Sequence, residues 1–120
     1  MTAGGISIHA VDVASGRPAE GLAVRLIRLD GDIARLLAAG PCGESGLFDH
    51  PTVQGDGITE GTYVAEFDVG AYFAGKAPDP GALPFLDTVK YHFGVANARQ
   101  HYHLPFKFTA WGYSLFRGGL

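Results

Sequence analysis

The sequence predicts an all-β sandwich of short strands with one short helix, on three observations. Near the C-terminus, Tyr102, Leu104, Phe106 and Phe108 alternate with His101, His103, Pro105, Lys107 and Thr109, which is a strand with one apolar and one polar face. Eighteen glycines and seven prolines punctuate the 120 residues at short intervals, as turns between short strands require. Hydrophobic residues make up 47% of the chain and charged residues 18%, enough apolar side chain for one ordinary domain to bury a core without disulfides or metal.

In chain order, Gly5 to Val13 reads as the first strand. Ile6, Ile8 and Ala10 share one face, which ends in Asp12; Ser7, His9, Val11 and Val13 share the other, so His9 stands on a mixed face. Ser15-Gly16-Arg17-Pro18 is turn chemistry. Gly21 to Leu29 is the second strand, with Leu22, Val24 and Leu26 on its apolar face. Asp30-Gly31 is a hairpin signal, and it favours a strand over a helical turn for Ile33 to Ala38. Gly40 to Gly57 reads as a loop with a short strand near Leu47-Phe48. Gly61 to Phe67 is strand-like. Asp68 to Lys76 is the one helix, with Asp68 as N-cap and Gly75 and Pro78 at its end; so short a helix must dock on a sheet to persist. Ala77 to Pro84 is a loop, Phe85 to Val95 a strand, Asn97-Ala98-Arg99 a turn, and two final strands break near Ala110-Trp111-Gly112. No repeat, linker or low-complexity tract divides the chain, so residues 1–120 read as one domain.

Composition narrows the function classes. The net charge is −3 and no basic stripe is present, which argues against a nucleic-acid partner. The N-terminus lacks a charged segment followed by a long apolar run, and no stretch approaches the ~20 apolar residues of a membrane span. The expectation is a soluble cytoplasmic protein with no membrane partner. The one cysteine, Cys42, cannot form an internal disulfide and reads as an incidental loop thiol.

The chemistry-bearing residues are the histidines. His101 and His103 share the polar face of their strand with Lys107, which is either a wet surface or the floor of a site. His101-x-His103 with His9 is feasible ligand spacing, but no cysteine or carboxylate clearly accompanies it, so no metal is expected. Lys107 reads as solvated, and Trp111 and Tyr113 as packing residues.

Three ordered stretches carry a resemblance. HAVDVASGRPAEGLAVRL (His9 to Leu26), EFDVGAYFAG (Glu66 to Gly75) and QHYHLPFKFTAWGYSLFRGG (Gln100 to Gly119) resemble the transthyretin and 5-hydroxyisourate hydrolase family. The resemblance implies a transthyretin-like sandwich of two four-stranded sheets with one short helix, assembled as a homotetramer, a dimer of dimers. For the hydrolase branch it implies ring opening of 5-hydroxyisourate, a small heterocyclic substrate, by water and with no cofactor. It carries catalytic roles to His9, His103 and Arg117, and substrate contacts to His101, Leu47, Phe116 and Gly119. The match is partial. The central-loop arginine of the family aligns with Leu47, and its terminal Tyr-Arg-Gly-Ser reads here as Phe116-Arg117-Gly118-Gly119, followed by Leu120. Asp49 and His50 follow the lost arginine position and are candidates to replace it. The substrate is then 5-hydroxyisourate or another cyclic ureide or lactam. The alternative is a non-catalytic, transthyretin-like binder of a small aromatic or apolar molecule, which the apolar Leu47 and Phe116 would suit.

Overall fold

A computed structural model describes residues 4–54, 58–76 and 81–118. Eight strands run in the order β1 (Ile6–Asp12), β2 (Arg17–Pro18), β3 (Ala23–Asp30), β4 (Ile33–Pro41), β5 (Gly61–Asp68), β6 (Thr88–Val95), β7 (Tyr102–Phe108) and β8 (Tyr113–Leu115), with helix α1 (Val69–Ala74) between β5 and β6. They form two four-stranded sheets, ordered β2-β1-β7-β8 and β4-β3-β5-β6. The expected sandwich is therefore present. Every paired neighbour is antiparallel except β1 and β7, which run parallel with Ser7 opposite His103 and His9 opposite Pro105.

The core follows the alternation of the strands. Even-numbered residues of β1 and β7 are buried: Ile6, Ile8, Ala10, Tyr102, Leu104, Phe106 and Phe108. Across the sandwich they meet Val24, Leu26, Tyr63, Ala65 and Phe67 of the second sheet. Phe67 stacks on Phe106 with ring centroids 4.1 Å apart, the closest aromatic pair in the interior. An offset stack of this kind adds about 0.5–1.5 kcal/mol beyond its area burial and ties the sheets face to face.

Three local expectations shift. The β3–β4 hairpin turns on Gly31-Asp32, since Asp30 still pairs with Ile33; Gly31 takes φ 61°, the left-handed conformation at which a Cβ is unfavourable. The helix is one residue shorter at its N-terminal end and two at its C-terminal end than expected, and Asp68 does not cap it with its side chain. Its carboxylate instead takes two hydrogen bonds from the Arg25 guanidinium, at 2.8 and 2.7 Å. That bidentate pair, rather than the helix end, holds the Asp68 carboxyl below the ordinary carboxylate range. Cys42 is buried, and burial pushes its thiol up to about 11, so it is an inert core residue rather than a loop thiol. Only parts of the expected loops at Gly40 to Gly57 and Ala77 to Pro84 fall within the described residues; Pro51–Gln54 in the first forms a 3-10 turn.

The acidic end of the first strand's apolar face has a structural reason. Asp12 is only 4% exposed, accepting from the Tyr72 hydroxyl at 3.1 Å and from the Ser15 amide at 3.2 Å. Burial and the adjoining Asp12 carboxylate push the Tyr72 phenol up to about 12, so it stays a donor. This contact fastens α1 to the end of β1. Tyr72→Phe should remove a hydrogen bond to a buried charge and cost about 1.5–3 kcal/mol. A lower urea midpoint with unchanged slope is the expected result; an unchanged midpoint would show the contact to be idle.

Candidate functional site

Odd-numbered residues of β1 and β7 form the outer face of the first sheet. Ser7, His9, His101, His103 and Pro105 stand half-buried there and Lys107 is exposed. Parallel pairing places His103 beside Ser7 and one pair-step from His9, roughly 8 Å between backbones on the same face. His9 and His103 thus share one sheet face within one protomer.

Both flanks of this row are closed by irregular chain. On the β1 side, Leu47 bridges His9 in antiparallel fashion, backed by Ala10 N–H to Gly46 O at 2.8 Å and Phe48 N–H to Ile8 O at 3.1 Å. Paired residues share a face, so Leu47, 47% exposed, stands beside His9 where the resemblance expects an arginine. Gly46 permits the approach: at φ 84°, an added Cβ would lie 2.4 Å from the Ala10 oxygen and 3.3 Å from His9 Nε2. On the β7 side, Gly118 bridges His103, with its amide donating to the His103 oxygen at 2.8 Å. By alternation from Ser114, which pairs with Lys107, Phe116 falls on the histidine face and is 45% exposed.

The imidazoles are held by two backbone carbonyls and one hydroxyl. His9 Nε2 lies 2.9 Å from the Ser45 carbonyl, which only accepts, so Nε2 carries the hydrogen and Nδ1 is bare in the neutral ring. His101 is engaged at both nitrogens, Nδ1 with the Gly4 carbonyl at 2.8 Å and Nε2 with Ser7 Oγ at 2.7 Å. It therefore has no ring nitrogen left for a substrate, in contrast to the contact expected of it. His103 Nδ1 lies 2.7 Å from the same Ser7 Oγ, leaving Nε2 for chemistry. Burial, then the neighbouring His101 and His9, hold His103 below the ordinary imidazole value, so it stays neutral.

The remaining expected residues divide. Arg117 does not reach the imidazoles. Its guanidinium lies 3.9 Å over the Tyr102 ring and donates to Gln100 Oε1 at 3.2 Å and the His101 carbonyl at 3.4 Å. Because Gly118 takes the histidine-face position, its neighbour Arg117 turns to the other side. Gly119 lies outside the described residues. Asp49 lines a cavity of about 370 Å3 with Ser7, Gly43, Ser45 and Leu47, whereas His50 is stacked on Phe48. Trp111 does not pack into the core: it is 74% exposed and tilts against Phe85 over an apolar hollow of about 180 Å3, at the far end of β7 from His103. Tyr113 is likewise exposed, tilted on Phe106. Among the described residues, no three His, Cys, Asp or Glu side chains gather as a metal would need. Sequence reasoning missed Ser7 as a functional candidate; its only signal was sharing a strand face with His9.

A model of the HIUase/transthyretin family matches residues 6–118. The chain belongs to this family. Among the family's members, the 5-hydroxyisourate hydrolase 2 of Rhizobium meliloti (strain 1021) is 42% identical over 118 residues, covering 96% of each chain. The structure of Klebsiella pneumoniae 5-hydroxyisourate hydrolase superposes with a TM-score of 0.77 at 28% identity, covering 97% of this chain and 94% of that one. The crystal structure of (S)-allantoin synthase gives a TM-score of 0.86 at 32% identity over 98% of this chain, which spans only 44% of that longer protein. The chain carries three histidines on one sheet face and leucine in the flanking loop.

Proposed function

We propose that the protein is a 5-hydroxyisourate hydrolase-like enzyme that opens a small planar cyclic ureide or lactam by adding water to a ring carbonyl and breaking the adjoining carbon–nitrogen bond. One observation carries the reading: His9 and His103 stand on one face of one sheet, each with one ring nitrogen occupied by the protein and the other left bare. A base must take a proton from water and an acid must give one to the departing nitrogen, and two imidazoles can share those roles. The neighbouring cavity of about 370 Å3 is within the range of small-molecule sites. The similarity to hydrolases along nearly the whole chain supports the same reading.

The oxyanion side differs from the family pattern, because Leu47 supplies no charge and Phe116 no hydroxyl. The substrate is therefore 5-hydroxyisourate turned over with weaker oxyanion support, or a related ring with a less demanding carbonyl. The exposed Leu47 and Phe116 on the histidine face favour a second reading, a non-catalytic binder of a small apolar or aromatic molecule.

The decisive assay generates 5-hydroxyisourate from urate and follows its disappearance. Acceleration is expected, with His103→Ala losing about 10²–10⁴-fold. A rate equal to the spontaneous one, unchanged in His103→Ala, would leave the binding reading. The lowered His103 value sets the pH profile. The neutral base is present above it and lost as pH falls through it, so kcat/KM should decline on the acid side with an apparent value below that of an ordinary imidazole.

Leu47→Arg should restore a cation beside His9 and raise kcat/KM for 5-hydroxyisourate by roughly 10–10²-fold. No gain would mean that the loop no longer borders the reacting carbonyl.

We also read the working form as a homotetramer, a dimer of dimers, in which a second protomer covers the apolar rim of the histidine face. Light scattering should then give four times the 12.6 kDa protomer mass; a monomer at micromolar concentration would sink this part of the reading.

A further inference from the structure

We propose that Ser7 and His101 are positioning residues that form a proton switch behind His103, setting which of its ring nitrogens is the base. This deepens the hydrolase reading and rests on it for its catalytic consequence. The assignment follows from one fixed atom. The Gly4 carbonyl can only accept, so His101 Nδ1, 2.8 Å away, must carry hydrogen. In a neutral ring His101 Nε2 is then bare, and the Ser7 hydroxyl 2.7 Å away donates to it. A serine hydroxyl has one hydrogen. With that spent, the 2.7 Å contact between Ser7 Oγ and His103 Nδ1 is made only if His103 Nδ1–H donates. His103 Nε2 is left as a lone pair, the tautomer a general base requires.

The chain also works in reverse. When His103 Nε2 takes a proton from water, its Nδ1–H can pass to Ser7 Oγ while the Ser7 hydrogen passes to His101 Nε2. His101 then holds the charge, in a ring whose Nδ1–H is anchored on Gly4 O, and His103 is neutral with Nε2–H, now an acid. Delivery of that hydrogen to the departing ring nitrogen and return of the two shifted hydrogens restores the start. No proton is gained or lost, and the paired shift of two hydrogens through Ser7 exchanges base for acid.

The charged and titratable groups around His103 are few. His9 faces it from β1, His101 and Lys107 share its own strand face, and Arg117 in the closing segment is turned onto Tyr102. The anchor itself is constrained: Gly4 is buried at φ 113°, where an added Cβ would lie 2.5 Å from the Ala98 oxygen. The backbone is thus held in the one place from which it can set the first tautomer.

Long-range proton–nitrogen correlation NMR on uniformly 15N-labelled protein at pH 8 reads the tautomers directly, without substrate. His101 and His103 should both be Nδ1–H in the wild type. In Ser7→Ala, His101 should keep its tautomer through Gly4 while His103 loses its preference, and Ser7→Thr should restore it. In turnover, Ser7→Ala should lower kcat by about 10²-fold with KM little changed, and Ser7→Thr should recover most of it. Nε2–H on wild-type His103, or Nδ1–H persisting in Ser7→Ala, would overturn the switch. Unchanged kcat in Ser7→Ala, with His103 freed, would overturn its catalytic part. If the wild type does not accelerate 5-hydroxyisourate decay at all, the hydrolase reading fails while the NMR result still decides the switch.

Discussion

The parallel pairing of β1 with β7 sets the geometry of everything on the outer face. Its register puts Ser7 beside His103 and His9 one step further along, and it leaves the free edges of β1 and β7 to receive Leu47 and Gly118. A slip of one residue would exchange the faces, burying His103 and exposing Leu104. What prevents the slip lies on the other side of the sheet. Phe106 is locked against Phe67, and Ile6, Ile8 and Leu104 fill the same interior. The apolar core thus fixes the positions of side chains that it never touches.

The electrostatic character of the face follows from which groups were placed there. Three imidazoles stand close together, and the described residues put no carboxylate among the hydrogen-bond partners of their rings. Each ring is held instead by a carbonyl or a hydroxyl, which orients it without adding a full charge. Burial on such a face favours the neutral form of His103, which is set up as a base by arrangement rather than by a partner anion. The cation of the closing segment, Arg117, is spent on the Tyr102 ring.

The sequence made the fold legible through local pattern. The alternation in β7 named both its faces, and glycine and proline marked most of the turns. Pairwise contacts between distant residues were less accessible. Asp68 looked like a helix cap because caps are local, yet Arg25, far back in the chain, claims it. Asp12 looked like an interruption of an apolar face until Tyr72 was seen to satisfy it. Within the site, His9, His103 and Leu47 could be singled out from the family resemblance. Ser7 could not be singled out, since its two imidazole partners lie more than ninety residues away. The direction of Arg117 depended on the Gly118 bridge, which alternation in the sequence alone did not reveal.

The division between odd and even residues in β1 and β7 bears on how this protein can change over evolutionary time. Interior and outer face are built from separate sets of side chains on the same strands, so replacements at Leu47 or Phe116 leave the interior contacts untouched. A lineage of such chains can exchange one reaction for another, or give up chemistry altogether, without passing through an unfolded ancestor. Persistence of a well-folded product is accordingly no measure of retained turnover in this architecture.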